Sequence, residues 1–288
     1  MSMLLFAAGF PAAGVLLESW GPMSLIAFRC ALATGLILVI WWAVDGTAAL
    51  KAAPWGRGIW IGALGFGSGT VMLLWAQDMT DAVTAALVTA SMPVSAVALE
   101  VMFDRRRLTW FFVAGLSLVL IGGLIATGAD LGNSQFGIGA AIGLAATVIF
   151  TWGSRATVKQ LPDMTGLGQA AITFVGALVF CLAALAASLA LGLPGTEIGR
   201  FDANSVTMLA LYAFAAMGIS QILWIIGVSR MGIGLASFHL NAVPFYVMLM
   251  ALAFGGAWSW DQALGAGLLA IGVVLAQRSD RRVTVPAE

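Results

Sequence analysis

Very few side chains of this 288-residue chain could do chemistry away from water. His239 is the sole histidine, and it could bond a neighbouring helix, contact a bound molecule or relay a proton. Arg29 lies about two turns inside another apolar segment, where it could reach the membrane surface, pair two helices or gate a passage. The sequence has no HExxH motif, and Cys30 and Cys181 are far from CxxC spacing. It therefore predicts no metal, no cofactor and no enzyme.

Three prolines mark positions where apolar helices are expected to break or bend. Neither Pro93 nor Pro244 can donate a hydrogen bond to the carbonyl four residues earlier. The freed carbonyls could hold an ammonium group in a cavity, or neighbouring helices could satisfy them in tolerated kinks. Pro11 interrupts the first apolar segment. We expect these prolines, together with Arg29, to break or gate helices.

Helical spacing selects further side chains as the candidate lining of a cavity. Residues seven apart share a helix face, as His239 and Tyr246 do, whereas Asn241 points away from both. Aromatic and methionine side chains with a few polar groups suit a small amphipathic zwitterion. The candidate binding residues are Phe10, Met72, Trp75, Thr89, Ser91, Thr151, Trp152, Gln221, Trp224, His239, Asn241 and Tyr246.

The composition places these residues in a membrane protein. Hydrophobic residues make up 61% of the chain and charged residues only 9%, and the mean hydropathy is +1.01. Stretches of about 20 apolar residues, long enough to cross a bilayer, recur along the whole chain. We predict an all-α integral membrane protein with ten transmembrane helices. The predicted spans are 2–17, 23–44, 57–76, 82–103, 108–127, 136–158, 165–191, 203–228, 232–254 and 263–277.

The loop charges predict how the chain is oriented. Nearly all loop arginines and lysines fall on one side, whereas the loops of the other side hold Arg200 alone together with several acids. Because cytoplasmic loops are enriched in Lys and Arg, we expect both termini in the cytoplasm of a multi-pass bacterial inner-membrane protein. The run Arg105-Arg106-Arg107 is explained by this bias, so no nucleic-acid partner is expected.

The two halves of the chain repeat one pattern. The segment from Trp75 through Ser91-Met92-Pro93 to Gly122 matches the segment from Trp224 through Ala242-Val243-Pro244 to Gly272. Since each half holds five spans, an odd number, the second copy must be inverted. We therefore divide the chain into residues 1–130 and 131–288. Inverted repeats with interrupted helices are typical of secondary transporters with a site between the halves.

These features carry a family resemblance. The ten-span plan, the Phe28-Arg29 pair before an Ala- and Gly-rich helix, the mid-helix prolines and the Gly-rich closing helices resemble the drug/metabolite transporter superfamily. Within it, the chain is most similar to the EamA-type exporters and to the YddG-like amino-acid exporters. The resemblance implies a monomeric or weakly oligomeric carrier that works by alternating access. It also implies that amino acids, aromatic and other apolar ones among them, are exported.

Other functions fit the residues less well. An exporter of lipophilic cations or other drugs by proton antiport is expected to hold a carboxylate in mid-helix, but Glu18 lies at the outer end of the first span. A channel would need a ring of repeated polar or carbonyl-lined segments, which the sequence lacks. Proton antiport and movement down the substrate gradient both remain compatible with the residues.

Overall fold

The computed structural model describes residues 1–104, 110–126, 134–253 and 257–277. Throughout these ranges the regular structure is helical and no strand occurs. The predicted all-α class is therefore confirmed. The run Arg105-Arg106-Arg107 and the join between residues 130 and 131 lie outside the described ranges.

The helices follow the predicted spans closely, with one long helix for most of them. In chain order they are α1 (Ser2–Leu17), α2 (Pro22–Ala52), α3 (Trp55–Met79), α4 (Ala82–Ala90 and Met92–Asp104), α5 (Trp110–Ala126), α6 (Ser134–Gln160), α7 (Gly166–Ala190), α8 (Ala203–Met231), α9 (Ile233–Phe238, His239–Ala242 and Val243–Ala253) and α10 (Trp260–Gln277).

Six of these helices, α2, α3, α4, α6, α7 and α8, are long and apolar enough to cross a membrane. The shorter apolar helices include α1, most of α9 and most of α10. Large apolar side chains such as Trp60, Trp110 and Leu249 are exposed on the outer surface, as expected where lipid is the solvent. The chain is thus a multi-pass membrane protein, and ten crossings remain a prediction.

Local sequence signals set several helix ends. Asp81, Thr165 and Asp202 precede α4, α7 and α8, and each accepts hydrogen bonds from N–H groups in the first turn. Pro22 opens α2, where its missing N–H costs nothing. Gly232 ends α8 with a φ of 79°, a conformation that glycine adopts without strain.

Both α4 and α9 are interrupted beside a proline. The first part of α4 ends at Ala90, and its second part begins at Met92, one residue before Pro93. In α9, a 3₁₀ turn over His239–Ala242 comes directly before the α-helix that contains Pro244. The tighter 3₁₀ turn bonds residues three apart and so adapts the backbone to the missing proline N–H.

Two other helices contain a π-helical stretch at matching positions. The stretch in α3 covers Gly62–Gly67, and the stretch in α8 covers Leu211–Ile219. Their first residues are 149 positions apart, the same separation as that of Trp75 and Trp224. The two halves of the chain therefore share a local irregularity as well as an apolar pattern.

Helices that the sequence places at equivalent positions pack against each other in opposite directions. A Cβ on Gly272 of α10 would lie 2.6 Å from the carbonyl oxygen of Gly115 of α5, and a Cβ on Gly122 would lie 2.7 Å from that of Gly265. The early part of each helix thus meets the late part of the other, so α5 and α10 are antiparallel. The contact is also reciprocal, as in a two-fold interface.

The helices α2 and α7 form a second antiparallel pair of this kind. The Sγ atoms of Cys30 and Cys181 lie 3.5 Å apart, and further along the hydroxyl of Thr34 donates to the carbonyl of Phe174 at 3.2 Å. The residue number rises along α2 while it falls along α7. Buried side chains of α2 and α7, such as Ile37 of α2, belong to one apolar cluster. The helices α4, α9 and α10 contribute to a second apolar cluster.

Candidate functional site

A cavity of about 970 Å³, open mouth included, lies between the two buried clusters. Its wall combines residues of α1 to α4 with residues of α6 to α9, so both halves of the chain enclose it. Its aromatic and methionine lining consists of Met3, Phe6, Phe10, Phe66, Met92, Phe150, Phe174, Tyr212, Met217 and Trp224.

Most polar side chains in the wall have hydrogen-bond partners within the protein. Gln77 of α3 donates to the carbonyl of Phe10 of α1 at 2.8 Å. The hydroxyl of Thr147 donates to the carbonyl of Gly143, one turn earlier in α6, at 3.0 Å. These groups need no ligand to satisfy them, because their polar atoms have already replaced water by protein partners.

The aromatic part of the wall is held in place from behind. The indole N–H of Trp224 in α8 donates to the hydroxyl of Ser154 in α6 at 3.1 Å, which fixes the ring at a position that is 5% exposed. Phe66 of α3 meets Phe150 of α6 edge to face, with ring centroids 5.0 Å apart. A rigid apolar surface of this kind favours ligands that fit its shape and that bury apolar surface against it, away from water.

Arg29 and Gln221 differ from the other polar groups of the wall. The Nε atom of Arg29 and the Nε2 atom of Gln221 are both buried without a hydrogen-bond partner. The guanidinium carbon of Arg29 lies 3.8 Å from the centre of the Tyr212 ring, in α8. Among the described residues that line the cavity, Arg29 is the sole charged one.

The cavity includes some of the residues selected from the sequence and leaves out others. Phe10, Arg29, Thr89, Gln221 and Trp224 line it. The selected residues that lie elsewhere are Pro11, Met72, Trp75, Ser91, Pro93, Thr151, Trp152, His239, Asn241, Pro244 and Tyr246.

Helix rotation explains the outside positions of Trp75 and His239. Trp75 is 44% exposed, whereas Gln77, two residues later in α3, lines the cavity. Two residues correspond to about 200° around an α-helix, so both cannot share a face. In α9, His239 is exposed while the next residue, Leu240, lines the cavity. Asn241 does not line the cavity, and both polar atoms of its amide are buried without a partner.

The two proline interruptions nevertheless adjoin the cavity. Thr89 and Leu240 are the residues whose carbonyls lose a helical donor to Pro93 and Pro244, and both residues line the wall. The prolines themselves are buried behind it. The helix interruptions thus adjoin the cavity through Thr89 and Leu240, the residues four positions before the two prolines.

Sequence reasoning missed Tyr212, Gln77 and three phenylalanines of the wall, Phe66, Phe150 and Phe174. Gln77 could have been found, because an amide within an apolar segment calls for a partner. Tyr212 could not, since it is nine residues from Gln221 and an α-helix would place the two on opposite faces. Each hydrogen bond of the π-helical stretch spans one residue more, which changes the rotation between them.

No group of three or more His, Cys, Asp or Glu residues able to hold a metal ion occurs in the ranges that the structure describes. Cys30 and Cys181 are free thiols, and both are buried and do not line the cavity.

Comparison with known proteins shows that this chain is similar in sequence to membrane transporters. Residues 1–128 match the EamA-like transporter family. A protein of Streptantibioticus cattleyicolor named "Probable terminal-alkyne amino-acid exporter" is 28% identical to this chain over 279 residues, which cover 96% of this chain and 91% of that protein. A solved crystal structure superposes with a TM-score of 0.71 at 20% identity, covering 98% of this chain and 96% of the other. The last likeness shows a shared fold.

Proposed function

We propose that this chain is a membrane transporter of the EamA type, not an enzyme, and that it exports small metabolites, foremost amino acids with apolar side chains. The observation that carries the proposal is the cavity, whose wall is largely aromatic and aliphatic with a few polar groups. Such a wall suits a small amphipathic zwitterion. The relative named as an amino-acid exporter, which aligns over 96% of this chain, supports the same class of substrate.

We infer that the chain crosses the membrane ten times as two inverted five-helix repeats, residues 1–130 and 131–288. Support comes from the antiparallel packing of α5 on α10 and of α2 on α7, since equivalent helices of inverted copies must run in opposite directions. The matching π-helical stretches of α3 and α8 add to it. A carrier built in this way binds its substrate where the repeats meet.

Transport would then proceed by alternating access. Walls from both repeats enclose the cavity, so rocking one repeat against the other would open it to one side of the membrane at a time. Small residues permit close helix contact, as where Gly65 of α3 faces Gly153 of α6. Because a single chain supplies all of these walls, we propose that a monomer suffices for transport.

The distribution of charge supports an inner membrane protein with both termini in the cytoplasm. At one end of the structure, Arg57 donates to the carbonyl of Gln160 and joins the α2–α3 and α6–α7 connections. At the other end, the N–H of Gly21 donates to the carbonyl of Glu197. The first end carries Lys51, Arg57 and Lys159 beside Asp45 and Asp163, and the second carries Glu18, Glu197 and Asp202 beside Arg200, so the first end is the more basic one. The basic end is the cytoplasmic one by the positive-inside rule.

Export of lipophilic cations is the weaker assignment. The described wall of the cavity holds one cationic group, Arg29, and no carboxylate. A carboxylate there would attract a cationic substrate and could bind the proton that antiport exchanges for it. We therefore propose that the substrate moves down its own gradient.

Efflux from proteoliposomes tests the proposal. Vesicles loaded with labelled phenylalanine, leucine or methionine are expected to release them faster when they contain the protein. Ala146 of α6 is buried in the cavity wall, whereas Ala141 of the same helix is exposed on the outer surface. We expect Ala146→Phe to lose most of this efflux because the new ring occupies the cavity, and Ala141→Phe to retain it.

Two results would contradict the proposal. If the wild-type protein moved none of a panel of aromatic and aliphatic amino acids, the substrate class would be wrong. If Ala146→Phe folded normally, as judged by gel filtration, and transported like the wild type, the cavity would not be the route.

A further inference from the structure

The guanidinium of Arg29 lies against an aromatic face, and its edge has no anionic partner. Its central carbon is 3.8 Å from the centre of the Tyr212 ring. Stacking of this kind covers the flat face of a guanidinium, but the N–H donors lie in its plane and stay available to an acceptor. Within the described residues no carboxylate pairs with Arg29, and its Nε atom is buried without a partner.

Arg29 is half-buried, and groups of the protein compensate the charge of its guanidinium only in part. Burying a cation away from water is costly unless an opposite charge or strong acceptors replace the water. The aromatic ring supplies part of this compensation, since a cation over a tyrosine face is attracted by the π-electrons. The remaining deficit favours an anion that enters the cavity and accepts hydrogen bonds from the guanidinium edge.

Gln221 places a second unpaired hydrogen-bond donor in the same cavity. Its residue is 7% exposed and lines the wall, and its Nε2 atom has no partner. A buried amide donor left unpaired is unfavourable, so a ligand that accepts a hydrogen bond there is stabilised. Ammonium and guanidinium groups cannot accept hydrogen bonds, whereas a carboxylate only accepts them.

We propose that Arg29 determines specificity by binding the free carboxylate of the substrate along its guanidinium edge, while Tyr212 holds the plane of the guanidinium. The ligand class is a small apolar carboxylate, with or without an α-amino group, whose side chain packs on the aromatic wall. The inference rests on the proposed function only in taking the cavity as the substrate site.

Ligand-induced thermal stabilisation of the purified protein in detergent tests this inference without requiring transport. The probes are phenylalanine and 3-phenylpropionate, which keep the carboxylate, and phenylalanine methyl ester, phenylalaninamide and phenethylamine, which do not. The two acids are expected to raise Tm with an apparent affinity at least about tenfold higher than the three other compounds, the size of effect expected for a lost hydrogen bond to a charged group.

Variants locate the effect at the predicted residue. Arg29→Gln is expected to abolish stabilisation by the acids, and Arg29→Lys to weaken it, because lysine keeps the charge but not the planar fork. Tyr212→Phe keeps the ring beneath the guanidinium and should retain more of the acid binding than Tyr212→Leu, which removes the ring. Arg57→Gln is the matched control, since Arg57 lies outside the cavity and donates to the carbonyl of Gln160.

Equal stabilisation of the wild type by the acids and by the ester or amine would overturn the inference. Full retention of acid binding in Arg29→Gln would also overturn it. If Arg29→Gln does not fold, the comparison of the five probes on the wild type decides alone. Failure of amino-acid efflux with acid-selective binding intact would instead count against the proposed function.

Discussion

The sulfur atoms of Cys30 and Cys181 lie 3.5 Å apart, although 151 positions separate the two residues in the chain. The first belongs to α2 and the second to α7, the helices that the sequence pattern places at equivalent positions in the two halves. Both thiols are free and buried. This contact therefore reports directly on the antiparallel packing that the inverted-repeat arrangement requires.

We predict that oxidation by copper-phenanthroline in isolated membranes joins these two residues. The two S–H bonds break, an S–S bond forms, two copper(II) ions accept one electron each to become copper(I), and water takes up the two protons. A rotation of the side chains can bring the sulfur atoms to the bonding distance of about 2.0 Å. Because the chain has two cysteines in all, maleimide tagging after denaturation should count two thiols before oxidation and none after it.

The Cys30→Ser variant is the control for this measurement, and it should show one tag before and after oxidation. Two tags on the oxidised wild type, under conditions that oxidise an added exposed pair, would mean that α2 and α7 do not meet at this point.

We predict that Gly65→Ala destabilises the protein, because a Cβ there would lie 2.5 Å from the Cα of Gly153 in α6. Helix backbones cannot give way as flexible side chains do, so the two helices must separate, at an expected cost of about 1 to 3 kcal/mol. The measurement is Tm in detergent, together with the efflux rate. Gly14→Ala is the matched control, since nothing lies within 4 Å of a Cβ at that position.

The control is expected to shift Tm slightly upward, because alanine is the better helix former by about 0.5 to 1 kcal/mol. If Gly65→Ala were as stable as Gly14→Ala and as active as the wild type, close contact between α3 and α6 would not be needed, either for stability or for movement.

We predict that His239→Gln leaves the efflux rate and its response to a pH gradient unchanged. His239 is exposed and does not line the cavity, so its imidazole is poorly placed to contact the substrate. The measurement is amino-acid efflux from proteoliposomes with the pH gradient intact and after nigericin has collapsed it. Gln221→Leu, which changes the wall itself, should slow efflux in both conditions.

A wild-type efflux that depends on the pH gradient, and that loses this dependence in His239→Gln, would assign a proton-coupling role to the histidine. It would also remove the proposal that the substrate moves down its own gradient.

We predict that Asp202→Ala lowers Tm at pH 7 and that this loss becomes smaller as the pH falls below the ordinary pKa of an aspartate. The carboxylate of Asp202 accepts a hydrogen bond from the N–H of Ser205 at 2.8 Å at the start of α8, and this bond holds the pKa of Asp202 below its ordinary value. A lowered pKa in the folded state means that the charged form stabilises the fold above the unfolded pKa of about 3.9. The contribution is lost as the pH falls through the folded pKa.

Asp163→Ala is the control for the pH dependence, because Asp163 is an exposed carboxylate in the loop before α7 with no capping bond. A difference between Asp202→Ala and the wild type that is as large at pH 3 as at pH 7 would show that charge on the cap is not its cause.

The sequence by itself determined the class of the protein and two of the places where its helices are interrupted, whereas α1 continues as one helix through Pro11, which was expected to break it. Apolar stretches of about 20 residues leave no stable alternative to helices in lipid, because every backbone polar group must find its partner within the segment. Pro93 and Pro244 marked the interruptions of α4 and α9, because proline removes an N–H wherever it occurs. Arg29, Gln221 and Trp224 stood out as polar or amphipathic side chains in apolar surroundings, and all three line the cavity.

Only the tertiary structure decided which face of each helix meets the cavity. Trp75 and Trp224 occupy matching positions in the two halves, yet Trp75 is 44% exposed and Trp224 is 5% exposed. In a membrane both sides of a helix are apolar, so hydrophobic periodicity does not show which side faces protein and which faces lipid. The π-helical stretch of α8 changes the rotation again and brings Tyr212 to Arg29. That contact depends on backbone geometry and on helix packing, which the order of the residues does not reveal.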